Sequence, residues 1–496
     1  MTRLHSTIVA VALVCAAASP AFGQTKSSDK PTWWAKYQYL AAHGPDTCTG
    51  QEAVQVGPNV NVSNECGPQS ETFVAIDPMH PSTLAGGSNE IFRLPMRGYF
   101  SRDGGSTWGG VDLPLPPAKG NGIDFGSDPS LAFDSRGNVF YGYIVVFFGN
   151  GNGINGTAVG VARSSDGGRT YPQFTLFSQE GGSGHFNDKP IITADSNPLS
   201  PFRDNVYIAW DAAVGGSTGG GVRVARSTDH GATFTTTRVD DPRGPGRAIG
   251  ADPFVGPNGE VYVAWNDFAA NTIAFTRSLD GGVTWGSPVV ISTKRLPFDI
   301  AIPAEFSRGA LVYPSCDADR SAGAQRGRLV CSWMDLNAAG NTDILTSFSD
   351  DGGRTWTAAA PATDALGGVD RFNHWLAIDP VTGDVNVSFY DTRNDTTGSR
   401  FMTDIYFSQS RTGAASWLAN VRVTDVSSNE HDCDGVFPCD GIDYGNQTGD
   451  YAGLASFGGV SHPIWTDSRK QLEARPGCRT GLAMEEVFSA TVTVKR

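Results

Sequence analysis

The sequence predicts an all-β chain folded as a β-propeller of four-stranded blades, and three observations predict it. An eight-residue phrase, Ser-x-Asp-x-Gly-x-Thr-aromatic, recurs at Ser101–Trp108, Ser164–Tyr171, Ser227–Phe234, Ser278–Trp285 and Ser349–Trp356. The copies stand roughly 50 to 70 residues apart and each ends a β-rich stretch, the period of a radial repeat. A chain of 496 residues with 61 Gly, 11 Trp and 18% charged residues suits one large β body with an ample core.

The phrase is itself a turn. Its Asp accepts hydrogen bonds from the backbone just downstream, while glycine supplies positive φ, and together they close a tight hairpin. The Ser or Thr tightens that turn, and the aromatic ring packs between neighbouring sheets. Asp103, Asp166, Asp229, Asp280 and Asp351 are therefore read as structural rather than catalytic.

Taken in order, unit one runs from Glu71 to Trp108. In unit two, Asp128-Pro129 leads into an inner strand, Asn138 to Phe147 alternates as the next, and Gly160 to Arg163 runs into the phrase. Unit three spans Asp188 through Trp210 to Phe234, unit four Asp252 through Trp265 to Trp285, and unit five about Leu311 to Trp356. Unit six keeps the pattern from Arg371 to Tyr406, but its turn, read as Ser408 to Trp417, has lost the Asp and gained residues. In unit seven, Gly449-Asp450-Tyr451 opens an inner strand, Pro463-Ile464-Trp465 lies in a second and Glu486 to Val494 makes a third. Ala53 to Val62 supplies the missing fourth strand by pairing across the chain ends, which removes the exposed edges of an open sheet. The count is seven blades, or six if the end groups merge.

Residues 1–23 read as a secretory signal: Arg3 is followed by an apolar run from Ser6 to Phe22, too short to remain in a bilayer, with cleavage near Gly23-Gln24. Residues 24–50 then form a linker and 51–496 a single propeller domain, exported to the periplasm or the medium. No later segment is apolar enough to span a membrane. A formal charge of −14 repels a nucleic-acid backbone or an anionic bilayer, so neither is an expected partner, and the chain is read as a monomer. Seven cysteines follow the signal, and export favours disulfides. Cys316 and Cys331 fall on adjacent strands, Cys433 and Cys439 bracket an acidic loop, and Cys48 with Cys66 would tie the start of the domain, leaving Cys478 over.

The repeated Asp-box makes the chain resemble the sialidase superfamily over nearly its whole mature length, with further likeness in Gly449-Asp450-Tyr451-Ala452-Gly453-Leu454 and Trp465-Thr466-Asp467-Ser468-Arg469. What the resemblance implies is an exo-α-sialidase-like glycoside hydrolase. Three arginines clamp a substrate carboxylate, a tyrosine assisted by a glutamate attacks the anomeric carbon, and an aspartate serves as acid and base.

In a propeller, the loop before each inner strand and the loop after the second strand emerge on one face around the central channel. That face collects Asp128, Asp188, Asp252, Arg371, His374, Asp450 and Tyr451 from the first set, and Glu90, Arg393 and Arg469 from the second. Arg371, Arg393 and Arg469 are the candidate clamp, with structural ion pairs to Asp391, Asp467 or Asp450 as the alternative. Tyr451 takes the late position of the family nucleophile, with Glu90 or Glu305 eligible as its partner. Asp128, Asp188 and Asp252 are the acid/base candidates, or else strand-start caps that recur through the repeat. Phe92-Arg93-Leu94-Pro95 imitates a sialidase arginine motif, although it lies much closer to the first Asp-box than in that family.

Asp432, Asp434, Asp440 and Asp443 offer hard oxygen ligands for a structural Ca2+, the alternative being a solvated acidic loop; no other cofactor is called for. The expected activity is release of terminal sialic acid or a related acidic sugar from a glycan or glycoconjugate. The alternatives are a noncatalytic propeller binding glycan or protein, and a polysaccharide lyase in which Tyr451 and His374 move a proton on a uronate.

Overall fold

The computed structural model describes residues 54–117, 124–148, 156–180, 187–212, 220–241, 247–431, 447–471, 473–478 and 481–494, together with Ala41. The propeller is the compact unit Gln55–Thr493, and its regular elements are all strands. Six blades follow the chain from the channel outward. Blade 1 is Gln69–Ile76, Leu84–Glu90, Arg97–Ser101 and Gly109–Asp112, and blade 2 is Asp124–Phe133, Val139–Phe147, Thr157–Ser164 and Gln173–Phe177. Blade 3 is Asp188–Ala194, Val206–Ala212, Gly221–Ser227 and Thr235–Arg238, and blade 4 is Ala248–Val255, Val261–Asp267, Thr272–Ser278 and Val289–Thr293. Blade 5 is Pro314–Ala318, Leu329–Leu336, Thr342–Ser349 and Ala360–Pro361, and blade 6 is Arg371–Ile378, Val385–Asp391, Met402–Ser410 and Val421–Arg422.

Blade 7 is built from both ends of the chain. Leu454–Phe457 pairs with Val460–Asp467, which pairs with Glu486–Ser489, and Val60–Asn61 adds the outer strand in the register Val60 to Ser489. The seven-blade expectation and the closure by the early segment are both met. A disulfide between Cys66 and Cys478, 412 residues apart, reinforces that closure. This corrects the expected Cys48–Cys66 pair and the leftover Cys478: ring closure brings the two chain ends together, which linear spacing does not reveal. Cys316 and Cys331 are bonded as expected, directly opposite each other on adjacent strands. Asp432, Cys433, Asp434, Cys439, Asp440 and Asp443 lie outside the described residues, as do the signal segment and, apart from Ala41, the linker.

The Asp-boxes are the turns foreseen. In blade 3, Asp229 Oδ1 accepts from the Thr233 N–H at 2.9 Å and the Ser227 hydroxyl at 2.7 Å, while Oδ2 accepts from the Thr233 hydroxyl. The sixth copy needs correction. It begins at Ser410, not Ser408, and has the same eight-residue length with Thr412 standing where the others have Asp. Thr412 Oγ1 accepts from the Ser416 N–H at 2.8 Å, and Ser410 Oγ from the Ala414 N–H at 2.9 Å, so hydroxyls do the work of the carboxylate. Between blades, apolar side chains alternate into shared layers. Trp210, Ile208 and Val206 of blade 3 pack on Phe140, Val159 and Val161 of blade 2, each buried ring contributing roughly 2 to 3 kcal/mol.

Candidate active site at the channel mouth

Five inner strands share one irregularity near their start. The pairing of each with its neighbour shifts between Ser70 and Phe73, Ser127 and Ser130, Asp188 and Ile191, Ile249 and Asp252, and Phe372 and Trp375. The first residue of each bulge is left-handed: Glu71, Asp128, Lys189, Gly250 and Asn373 have φ between 45° and 69°. A bulge re-aims the side chain it carries, and left-handed backbone is costly outside glycine unless the surroundings hold it. Here the bulges bring Glu71, Asp128 and Lys189 from three successive blades together at the channel axis.

Two glycines complete the ring because side chains occupy their space. A Cβ on Gly250 would fall 2.1 Å from the Tyr313 ring, and one on Gly449 would fall 2.4 Å from Glu71 Cγ. Tyr313, admitted by the first, donates its hydroxyl to Asp450 Oδ2 at 3.1 Å.

Lys189 is the hub. Only 4% exposed, its Nζ lies 2.7 Å from Asp450 Oδ2, 3.0 Å from Glu71 Oε1 and 3.4 Å from Asp128 Oδ1. Its backbone N–H is shared at 3.1 Å between Asp128 Oδ2 and Asp188 Oδ1, which brings those two carboxyl groups side by side. Asn89 fixes the far side, donating to Glu71 Oε2 at 2.9 Å and accepting from the Asp128 N–H at 2.7 Å. Arg308, on the insertion between blades 4 and 5, grips Asp450 through Nε and Nη2, both at 2.7 Å.

Four acids thus face two cations, and protonation removes the surplus. Burial pushes Glu71 up to about 8, and burial together with the neighbouring Asp128 charge raises Asp188 well above the usual carboxylate range. Burial also works to raise Asp128 and Asp450, but Lys189, joined at Asp450 by Arg308, outweighs it and holds both below their ordinary values. Glu71 and Asp188 are thus biased toward the protonated form and Asp128 and Asp450 toward the ionised one, which offsets the excess of acids over cations. Asp188 is the partly exposed member, its carboxyl raised where the neighbouring Asp128 is lowered.

Tyr451 packs beside the cluster, with Lys189 Nζ 5.5 Å from its ring centre, and the other expected residues lie elsewhere in the ring. Asp252 follows its bulge, Asp128 starts one and Asp188 precedes one, so these three are not one recurrent cap: they occupy three different registers. Asp252 points down the channel and accepts the Cys316 N–H at 2.6 Å. It lines a cavity of about 200 Å³ to which the inner strands contribute Phe73, Leu131, Ile192, Leu376 and Leu454. Tyr451 is buried in the channel wall, its hydroxyl donating to the Pro129 carbonyl at 2.9 Å and its ring against Phe73 and Trp375. His374 is buried one residue after the Asn373 bulge position, and burial lowers it to about 4. Glu90 lies between blade 1 strands, accepts from Tyr99 at 3.1 Å, and is raised to about 8 by burial and by Glu65.

The arginines pair internally. Arg371 is fully buried and donates to Asp391, Asp343, Thr363 and the Asp364 carbonyl. Arg393 joins it on Asp391 Oδ2 and reaches Asp364. Arg469 binds Asp467, Asp425 and Asn59, while Arg93 binds Glu65 and Asp112. Arg308 reaches the Lys189 cluster itself, with its side chain 34% exposed and its Nη1 making no hydrogen bond among the described residues. Sequence reasoning passed over Glu71, Asn89, Arg308 and Tyr313. The long interval between the fourth Asp-box and blade 5, which carries Arg308 and Tyr313, was the available signal.

No family model matches the sequence, and no curated protein matches it. Among solved structures, the chain is similar to the phage phi92 endosialidase at 9% identity, covering 91% of this chain and 74% of that one with a TM-score of 0.49. It is similar to the NanB sialidase of Streptococcus pneumoniae at 11% identity, covering 75% and 70% with a TM-score of 0.47. An α-L-arabinofuranosidase from Fusarium graminearum is similar at 13% identity over 72% and 98%, with a TM-score of 0.45.

Proposed function

We propose that the protein is an exported glycoside hydrolase whose acid and base are Asp188 and Asp128, acting on a terminal acidic sugar such as sialic acid. The observation that carries the reading is the pair of carboxyl groups sharing the Lys189 N–H, driven to opposite protonation states at the mouth of the channel. A glycosidic oxygen needs a proton from an acid still neutral near pH 7, and the anomeric centre needs a base or nucleophile already ionised. Arg308 supplies the cation for a substrate carboxylate through the guanidinium edge that Asp450 leaves open. In this reading Tyr451 is wall, and Arg371, Arg393 and Arg469 brace blades 6 and 7.

The test is turnover of fluorogenic sialosides and neutral exo-glycosides by the purified mature protein. Asp188→Asn lowers kcat by roughly 10²- to 10⁴-fold, Arg308→Gln raises KM for acidic substrates alone, and Tyr451→Phe stays near wild type. A Tyr451→Phe variant as dead as Asp188→Asn returns the nucleophile to the tyrosine and defeats this assignment. The near-complete pairing of Glu71, Asp128 and Asp450 favours a second reading, a noncatalytic glycan-binding propeller. Glycan binding without turnover of any substrate selects it.

A further inference from the structure

The second strands of blades 3, 4, 5 and 7 each carry a tryptophan, Trp210, Trp265, Trp333 and Trp465, and the residue paired with it on the third strand decides how much room lies beside the ring. That partner is Arg223 in blade 3, Leu345 in blade 5 and Phe488 in blade 7, but Ala274 in blade 4. The small partner leaves space. Trp265 and Ala274 line a cleft of about 410 Å³ between blades 3 and 4, where Trp265 shares a core cluster with Val222 and Val224 of blade 3. Ala248, which opens the inner strand of blade 4, and Asp267, which closes its second strand, also line the cleft, so it opens on the face that carries the Lys189 cluster. No member of that cluster lines it.

A buried indole N–H ordinarily finds an acceptor, and two of the four do: Trp210 donates to Asn187 Oδ1 at 3.2 Å and Trp465 to Asp467 Oδ2 at 2.8 Å. Trp265 is different. Only 2% of it is exposed, yet its Nε1–H has no acceptor among the described residues and, unlike that of Trp333, is not sealed from solvent, which leaves the cleft as the space it faces. Arg247, exposed at the rim, makes no hydrogen bond or ion pair among the described residues. Asp267 Oδ1 accepts from the N–H groups of Ala269 at 3.1 Å and Ala270 at 2.8 Å, and Oδ2 accepts from no described residue. Two donors and an acceptor thus stand open beside an apolar wall of Ala248, Ala274 and Val290.

We propose that this cleft binds an uncharged pyranose unit of a glycan, at a site separate from the acid and base of the channel mouth. Sugar hydroxyls both donate and accept, which matches the mixed set of the Trp265 N–H, the Arg247 guanidinium and Asp267 Oδ2, while the C–H face of the ring covers the apolar wall. The charge of the lining selects against an anionic sugar. Asp240, Asp241 and Asp267 are three acidic side chains around one free guanidinium, and Arg238 engages only Asp240 among them through its side chain, at 2.6 and 2.9 Å. The volume falls within the roughly 300 to 1,000 Å³ of small-molecule sites.

The experiment is titration of the purified mature protein with the methyl pyranosides of galactose, glucose, mannose and N-acetylglucosamine, read by calorimetry and by saturation-transfer NMR. Neither readout needs turnover, so the result is independent of the glycosidase reading. At least one pyranoside is expected to bind saturably at millimolar concentration or below. Ala274→Leu, which fills the cleft as Leu345 does in blade 5, and Arg247→Ala should each weaken it about tenfold or more, while Asp188→Asn leaves it unchanged. Lack of saturable binding to wild type overturns the proposal, and so does binding lost in Asp188→Asn but kept in the two cleft variants, which moves the sugar to the channel mouth. Glucuronate binding more tightly than every pyranoside, and lost in the cleft variants, overturns the uncharged class. Should Ala274→Leu fail to fold, Arg247→Ala at the exposed rim decides by the same outcomes.

Discussion

Single residues in this molecule are set by the charges they can reach. Lys189 sits at 4% exposure because three carboxyl groups surround it, and those carboxyls divide into charged and neutral members because two cations cannot neutralise four anions. The same balance makes stability depend on pH. Glu71, Glu90 and Asp211 are pushed up to about 8, chiefly by burial, against ordinary values near 4. Their folded pKa lies above the unfolded one, so the folded state holds extra protons between the two. That contribution is complete below about pH 4 and is lost as pH rises toward 8. His374 and His462, lowered to about 4 by burial, act in the opposite sense between about 4 and 6.5. The carboxyls prevail above that window, so Tm is expected to be higher at pH 6.5 than at pH 8.5. A melting curve that climbs steadily across that interval would contradict these burial assignments.

Elements owe their geometry to short polar phrases. The turn carboxylates work at the surface: Asp229 and Asp351 are held down to about 2, first by the Thr hydroxyl four residues on, and each also accepts that residue's N–H. Replacing Asp229 by Ala removes three hydrogen bonds from one turn and should cost on the order of 1 to 2 kcal/mol. Calorimetry should show a loss of about 2 °C in Tm, with Asp229→Thr restoring part of it, because Thr412 already fills that place in blade 6. Equal melting of the Ala and Thr variants would mean the carboxylate position does not hold the turn. The inner-strand bulges are the other recurrent element. They were illegible beforehand, since Glu71, Asp128, Lys189, Gly250 and Asn373 have no residue type in common and only backbone pairing shows their equivalence.

The whole ring is closed by its ends. Val60–Asn61 adds the last strand to blade 7, Val62 N–H donates to the Val487 carbonyl at 2.7 Å, and Cys66–Cys478 locks the arrangement. Closing a loop of that length constrains the unfolded chain by up to roughly 5 kcal/mol. The double variant Cys66→Ser/Cys478→Ser should therefore melt several degrees earlier, with the amides of Val60–Asn61 exchanging faster than those of blades 3 and 4. Unchanged exchange at Val60 and Asn61 would show that the strand holds without its covalent lock.

Local chemistry in the chain was enough for the propeller itself: five Asp-boxes declare five turns, alternating strands fill the intervals, and the blade count and end-to-end closure follow. It also named Asp128, Asp188, Asp450 and Tyr451 as residues of the channel face. What tertiary structure decided is who meets whom. Arg371 and Arg393 share Asp391 rather than a ligand, Arg308 arrives from an insertion, and Glu71 reaches Lys189 across 118 positions of chain. Turns are encoded by neighbours in sequence, whereas a buried charge cluster is settled by the sum of all charges that folding brings within a few ångströms.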